Sequence, residues 1–287
     1  MQNKQDTKRD KNIVLPERGC LKHMLYSFSL LYKFTFLISL ENYINIQSET
    51  DVMQVVLEKR PKSPIIIEGF PGFGLIGTIT TEFLIKHLDA QLIGYIRMEE
   101  VPPVVPVHQG KAIEPVGVFY AAKENIVIVH ALTSVQGFEW ELAKDILQMA
   151  KDLKAKEIIS LEGVGSNNSS AEGLDSRTFY VGNNKKLKMI KNIQPLREGI
   201  IMGVTGALML HKDFPITCIF AETHSALPDS RASANIIRIL DEVLNLKIDF
   251  KPLLDKAEEF EENIKQLLTK AKKATDTHQQ KTQNYFG

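Results

Sequence analysis

Short apolar runs alternate with segments of helical periodicity along the chain from residue 65 onward. The β-branched run at 65–67 is ended by Gly69, Pro71 and Gly72, which predicts a buried strand leading into a loop. Over residues 75–88 apolar side chains recur at helical spacing, which predicts a helix packed on that strand. The same criteria predict further strands at 92–96, 117–121, 126–131, 158–161, 178–181, 199–204 and 216–221, and helices at 137–153 and 231–244.

The alternation of strands and helices predicts the fold class. It is typical of an α/β protein whose mostly parallel sheet is flanked by helices on both faces. No internal repeat and no linker-like segment interrupts residues 53–250, so we predict a single α/β domain over that range. The chain of 287 residues is long enough for such a domain to bury a large core.

After Pro252 the apolar pattern becomes a narrow stripe with alternating steps of four and three residues. Charged residues fill the other positions, which is typical of a coiled-coil seam or an intersubunit contact. We therefore predict a C-terminal heptad helix over residues 251–274 that supports a homo-oligomer. The positions of the stripe are Leu253, Ala257, Phe260, Ile264, Leu267 and Ala271.

Residues 275–287 are polar and favour no helix, so we predict a flexible tail. The tail ends in Tyr285, Phe286 and Gly287. Two aromatic side chains at the end of a polar tether have no folding role, whereas a peptide that inserts into a partner's pocket uses such anchors. We therefore predict that residues 285–287 bind a partner protein.

Residues 1–52 form an extension of different character. A basic start precedes the apolar stretch 25–40, an arrangement that a signal anchor also has. The stretch is shorter than the roughly 20 apolar residues that span a bilayer, and Lys33 interrupts it. We therefore favour an extension that precedes a domain beginning at Met53, with a membrane anchor as the alternative.

Charge and cysteine content narrow the functional classes. The chain has 35 basic and 35 acidic side chains, so no overall excess of positive charge is available to bind nucleic acid. Cys20 and Cys218 lie far apart and match no metal-ligand spacing or disulfide framework. We therefore expect no metal, no nucleic-acid partner and a reducing cytoplasm.

The segment from Gly72 to Gly77 matches the dinucleotide-binding pattern G-x-G-x-x-G between a predicted strand and a predicted helix. Glu99 or Glu100 lies near the distance expected for an acid that binds a ribose. The glycines also suit a purely structural role, because they allow a tight turn and a close approach of helix to strand. A nucleotide- or nucleoside-binding α/β enzyme therefore remains an alternative function.

A second cluster of polar residues follows the predicted strand at 216–221. His224 is a candidate general base there, with Ser225 as nucleophile or Arg231 as an anion clamp. Adjacent residues of an extended segment point to opposite faces, however, so His224 and Ser225 are poorly placed to act together. We favour a structural role in which Asp229 or Ser230 caps the next helix, and we predict no catalytic residue.

Three sequence blocks together resemble the archaeal proteasome assembly chaperone family. The blocks are EGFPGFGLIG at 68–77, EGVG at 162–165 and ETHSALPD at 222–229, within a resemblance that spans residues 55–246. The combination is more specific than the glycine pattern alone. The residues that carry it are Gly69, Pro71, Gly72, Gly74, Gly77, Gly163, Gly165, His224, Pro228 and Asp229.

The resemblance implies a fold similar to that of purine nucleoside phosphorylases, without their catalytic residues and without a cofactor. It also implies a homo-oligomer that binds α-subunits of the 20S proteasome core during assembly. Family members use a C-terminal hydrophobic–aromatic–any tripeptide that inserts between neighbouring α-subunits. Tyr285, Phe286 and Gly287 fit that form, with Phe286 where tyrosine is usual and the Gly287 carboxylate expected to pair with a basic residue of the partner.

Overall fold

The computed structural model describes residues 53–98, 105–108, 110–165, 177–223 and 227–249. A few positions beyond them are also described, namely 251, 254, 266 and 269–270. The chain divides into two units, and all of these residues belong to the one that spans Val52–Gly287.

The described residues are organised around a nine-stranded sheet with the strand order β1-β3-β6-β7-β2-β8-β11-β9-β10, and a separate two-stranded hairpin is formed by β4 and β5. The strands are β1 (Met53–Leu57), β2 (Ile65–Gly69), β3 (Gln91–Met98), β4 (Val107–His108), β5 (Lys111–Ala112), β6 (Val116–Ala121), β7 (Ile126–Ala131), β8 (Glu157–Gly165), β9 (Thr178–Val181), β10 (Gln194–Pro195) and β11 (Ile216–Thr223).

The centre of the large sheet is parallel and its flanks are mainly antiparallel. The strands β7, β2, β8 and β11 run in one direction as neighbours. The pairs β1–β3, β3–β6, β6–β7 and β11–β9 are antiparallel, whereas β9 and β10 are parallel. The α/β class is therefore confirmed, but the prediction of a mostly parallel sheet is correct only for the centre. The sheet as described is mixed, because the antiparallel hairpin of β6 and β7 and the antiparallel strands β1, β3 and β9 flank the parallel centre.

Four described helices cover the two faces of the sheet. They are α1 (Ile76–His87), α2 (Glu139–Asp152), α3 (Gly203–Met209) and α4 (Ser230–Leu244). Apolar residues of α1 and α4 form one core with one face of the sheet, and those of α2 and α3 form a second core with the other face. The central strands are consequently buried on both faces, which explains why β7 (IVIVHA) has no exposed position.

Most predicted elements are present, with one clear error. The apolar run at 200–202 predicts a strand over 199–204, but α3 begins at Gly203, and Ile200 and Met202 are exposed. Gly203 has a positive φ of 72°, which an extended strand does not accommodate. The strands β1 and β10 and the hairpin of β4 and β5 were not predicted.

The predicted stripe residues of the heptad helix, from Leu253 to Ala271, lie outside the described residues, as do the tail residues Tyr285, Phe286 and Gly287. Leu254, which is described, packs against the core that contains α1 and α4. Among the described helices, none is long and apolar enough to cross a membrane.

Candidate functional site

The three sequence blocks meet at one edge of the sheet. The first block ends β2, the second ends β8 and the third ends β11. These strands are parallel neighbours in the order β2-β8-β11, so their carboxyl ends lie side by side. Ligands of open α/β sheets bind outside the carboxyl ends of the strands, which makes this edge the candidate functional site.

In the first block, two glycines bring helix α1 into close contact with β2. A Cβ atom added to Gly69 would overlap the backbone of Gly77, and one added to Gly77 would lie 2.5 Å from the carbonyl oxygen of Leu161. Gly74 adopts a positive φ of 67°, a conformation that favours glycine. These glycines are therefore required by the turn and by helix packing, as the structural interpretation predicted.

The second block packs directly on the first. A Cβ atom on Gly163 would overlap the carbonyl oxygen of Phe73, and one on Gly72 would overlap the carboxylate of Glu162. Gly165 faces the ring of Phe73, and a Cβ atom added to it would lie 3.6 Å from that ring. The loop after β2 and the end of β8 therefore lie closer together at Gly72 and Gly163 than any larger side chain allows.

The third block joins the first through Asp229. The backbone N–H of Asp229 donates to the carbonyl oxygen of Gly74 (3.0 Å), and the Thr223 hydroxyl donates to Oδ2 of Asp229 (2.8 Å). The other carboxylate oxygen of Asp229 accepts from the N–H of Ala232 (2.9 Å) and caps helix α4. The predicted capping role of Asp229 is thus confirmed.

The carboxyl group of Glu162 lies against the glycine loop, whose backbone amides bind phosphate groups in dinucleotide-binding proteins. Its carboxylate accepts hydrogen bonds from the backbone N–H of Gly163 (3.0 Å) and of Phe73. Burial raises the pKa of Glu162 to about 7, and the two backbone hydrogen bonds partly offset this effect. The Phe73 amide in the glycine loop and the nearby Gly163 amide therefore donate their hydrogen bonds to a carboxyl group of the chain itself.

Glu68 lies beneath Glu162 in the core and has no exposed surface. Neither of its carboxyl oxygens has a hydrogen-bond partner of normal geometry among the described residues. Burial raises its pKa to about 8. The neighbouring Ser160 hydroxyl offsets this only in part, because it is directed at Thr205 Oγ1 (2.8 Å). At neutral pH Glu68 is therefore mainly a neutral carboxylic acid.

An ion pair with one buried and one half-exposed partner closes another side of the same edge. The guanidinium of Arg177 donates to both oxygens of Glu222, with Nε–Oε2 at 2.9 Å and Nη2–Oε1 at 2.6 Å. The Glu222 side chain is 3% exposed, whereas that of Arg177 is half exposed. The hydrogen bonds to Glu222 raise the pKa of Arg177 above its usual value.

Together these groups surround a cleft of about 950 Å³. Its walls are the loop after β2, the start of α2, the end of β8, the Arg177–Glu222 pair and the segment from Gln194 to Gly203. No group of three or more His, Cys, Asp or Glu side chains within the described part of the chain is arranged to hold a metal ion. The polar groups of the cleft suit the binding of a polar or charged group.

The structure brings together Gly69, Gly72, Gly74, Gly77 and Gly163 with Asp229, and it places Pro71 and Gly165 in the wall of the cleft. Pro228 directly precedes the capping residue. His224 and Ser225, the candidate base and nucleophile, lie outside the described residues, as do Glu99 and Glu100.

Sequence reasoning did not single out Glu68, Glu162 or the Arg177–Glu222 pair as site residues. A signal was present for Glu68, since an acid that continues an apolar strand run must lie in or beside the core. No such signal existed in the sequence for Arg177, because its pairing with Glu222 depends on the antiparallel contact of β9 with β11.

Comparison with known proteins places these features in context. The model of the PAC2 family matches residues 66–268. The crystal structure of Pyrococcus furiosus PbaA, an archaeal homolog of proteasome-assembly chaperone, is 30% identical with a TM-score of 0.68, covering 77% of this chain and 99% of PbaA. P. furiosus PbaB, an archaeal proteasome activator, is 23% identical with a TM-score of 0.63, covering 76% of this chain and 99% of PbaB.

Among curated proteins, an uncharacterized protein of Methanocaldococcus jannaschii is 27% identical over 212 residues, which are 72% of this chain and 86% of that protein. The match at 66–268 includes all three blocks that meet at the edge of the sheet. The residues that pack the blocks together are therefore within the part of the chain that these proteins resemble.

Proposed function

Because the chain belongs to the PAC2 family, we propose that it is a proteasome assembly chaperone, a non-enzymatic cytoplasmic protein that binds α-subunits of the 20S core. The observation that carries the proposal is the likeness to PbaA, which extends over almost the whole of that protein. The likeness to PbaB, at 23% identity, supports the fold alone.

The site geometry supports a structural role for the glycine blocks. The glycines that join the first two blocks are required by a close contact with their neighbours or by a turn. The described side chains at the edge include no pair of nucleophile and base within hydrogen-bonding distance that is open to the cleft. A binding protein that uses this edge as a rigid framework fits these observations better than an enzyme.

For the contact with the proteasome we propose the C-terminal tail. Tyr285 and Phe286 supply apolar anchors, and the carboxylate of Gly287 supplies a charge that a basic residue of an α-subunit pairs with. A single short tail buries little surface and binds weakly. A homo-oligomer held by the heptad stripe presents several tails at once, which raises their effective concentration and their combined affinity.

The alternative is a nucleotide- or nucleoside-binding α/β enzyme that uses the loop from Gly72 to Gly77. The position of Glu162 weighs against it, since its carboxyl group accepts the hydrogen bonds of the Phe73 and Gly163 amides, which are then not available to a phosphate group. Thermal denaturation with and without NAD, ATP or adenosine distinguishes the two functions. We expect no shift of the melting temperature with any of the three compounds.

The proposed function is tested by pull-down of purified proteasome α-subunits. We compare the full chain, a variant that ends at Asn284, and a variant with two serines added after Gly287. The added serines keep both aromatic residues but move the terminal carboxylate, so they separate the two contributions. We expect binding by the full chain, loss of binding on truncation and at least tenfold weaker binding on extension.

Equal binding by all three variants would show that the tail is not the contact. No binding by the full chain, combined with a thermal shift by a nucleotide or nucleoside, would favour the enzyme. Circular dichroism of each variant serves as the control for folding.

A further inference from the structure

The segment from Gln194 to Gly203 forms a wall of the cleft and exposes apolar side chains at its lip. Ile200 is 90% exposed and Met202 is 77% exposed, and Phe73 on the loop after β2 is 40% exposed. All three residues belong to the wall of the cleft. Several large apolar side chains at the mouth of one concave surface mark a surface that a partner covers, whereas single scattered ones do not.

The charges of the cleft are predominantly acidic. In the part of the chain that the structure describes, its walls contain four carboxyl side chains and two guanidinium groups, and one of the latter, Arg177, donates two hydrogen bonds to Glu222. Among the described residues, the remaining charged side chains of the wall are Glu139 and Glu198 against Arg197, and Glu162 adds a partial negative charge at neutral pH, because its pKa is about 7. An occupant that complements this surface therefore carries positive charge, and a phosphate or a carboxylate is disfavoured.

We propose that this cleft binds an extended peptide segment of a partner protein that carries a lysine or arginine between apolar side chains. The basic side chain enters the acidic interior, and the apolar side chains cover the lip formed by Ile200, Met202 and Phe73. A small cation bound inside would leave Ile200 exposed, so the lip requires a longer occupant. A volume of about 950 Å³ accommodates several peptide residues.

The proposal does not depend on the C-terminal tail, because the cleft is built by residues that lie within the family match. It is therefore tested separately from the binding of α-subunits. The experiment uses the full chain, immobilised through its lysines at low density, and a phage library of random heptapeptides. Synthetic versions of the selected peptides, with free and with amidated ends, are then measured by fluorescence anisotropy.

We expect the selected peptides to be enriched in lysine or arginine flanked by apolar residues. Replacement of the basic residue by glutamate in a selected peptide should weaken binding at least tenfold. The double variant Ile200→Ser and Met202→Ser should also weaken it at least tenfold, as should Glu198→Lys. These side chains are exposed, so the variants are expected to fold.

Matched controls exist for both changes. Leu210→Ser removes an apolar side chain that is 65% exposed but does not line the cleft. Glu141→Lys reverses an exposed charge on α2 that is likewise outside the wall. We expect both controls to bind the selected peptides as the unmodified chain does.

Failure to select any peptide, selection of acidic peptides, or equal binding by cleft and control variants would overturn the proposal. A change of oligomeric mass on Ile200→Ser and Met202→Ser, without any peptide selection, would assign the surface to a second copy of the chain and would equally overturn it. Light scattering after size-exclusion chromatography measures that mass.

Discussion

Glu68 is the most unusual residue of the site, because an acid is fully buried without a hydrogen-bond partner of normal geometry among the described residues. An ionised carboxylate in that position would cost several kcal/mol, so the group remains protonated until the pH approaches its raised pKa of about 8. Glu162 lies nearer to the cleft, and burial raises its pKa as well, to about 7. The two carboxyl groups therefore make stability depend on pH.

The first prediction concerns the substitution Glu68→Gln. In the unfolded chain this carboxyl has its ordinary pKa of 4.5, so between pH 4.5 and about 8 the folded state holds a proton that the unfolded state has lost. The free energy of unfolding should therefore fall as the pH rises through this window. Glutamine cannot ionise, and we expect the substitution to reduce the loss between pH 5.5 and 8 by about 3 kcal/mol.

Urea denaturation at pH 5.5 and pH 8 measures this effect. The exposed carboxyl of Glu58 provides the control, and Glu58→Gln should leave the pH dependence as in the unmodified chain. The same loss of stability in Glu68→Gln and the unmodified chain would show that Glu68 is not the group that titrates.

The second prediction concerns Gly163, which belongs to the EGVG block of the sequence. Any Cβ atom at this position overlaps the carbonyl oxygen of Phe73, and that oxygen belongs to the backbone and cannot rotate away. We expect Gly163→Ala to destabilise the protein by about 1–3 kcal/mol, the usual cost of overpacking.

Gly199→Ala is the matched control, because its Cβ atom would lie 3.4 Å from the Leu196 side chain, an ordinary contact. Thermal and urea denaturation should distinguish the two substitutions. Equal stability of both variants would mean that the loop after β2 can move away from β8.

At the scale of elements, the central strands and the long helices could be predicted because each is bounded by glycine, proline or a cap and has a clear apolar period. The helix over 76–87 and the strand over 65–69 follow directly from the pattern. The strand predicted over 199–204 was wrong because only Val204 of this run is buried, and it belongs to helix α3. Ile200 and Met202 are exposed at the cleft, so these apolar residues mark an exposed apolar surface rather than a buried strand.

The third prediction concerns the start of helix α4. Asp229 caps it through the N–H of Ala232, and it also ties the helix to β11 through Thr223. We expect Asp229→Ala to lower the free energy of unfolding by about 0.5–2 kcal/mol, the range observed for loss of an N-cap. Asparagine keeps the capping acceptor, so Asp229→Asn should recover most of that loss.

Urea denaturation at neutral pH provides the measurement for both variants. Equal loss in Asp229→Ala and Asp229→Asn would indicate that the charge or the contact with Thr223 matters more than the cap. No loss in either would show that helix α4 is positioned by its apolar face alone.

For the whole molecule, the sequence predicts the α/β class and the structural importance of the three blocks, because each block ends a strand that the pattern identifies. It does not predict strand order, and only the order β2-β8-β11 brings the blocks together. The antiparallel pairs β1–β3 and β9–β11 could not be predicted for the same reason, since their strands lie far apart along the chain. The cleft depends on the strand order and on the antiparallel flanks, so its acidic interior could not be predicted from the sequence.

The last prediction joins oligomerisation to partner binding. If the stripe at 253–271 holds the oligomer, Phe260→Glu with Ile264→Glu places charges in the seam and should lower the oligomeric mass measured by light scattering. The tail is unchanged in this variant, so each tail should bind α-subunits with its own weak affinity and the combined affinity should fall at least tenfold. Glu261→Gln with Lys265→Gln, outside the stripe, is the control. A lower mass with unchanged affinity would show that one tail suffices, whereas an unchanged mass would move the oligomer contact from the stripe to another surface.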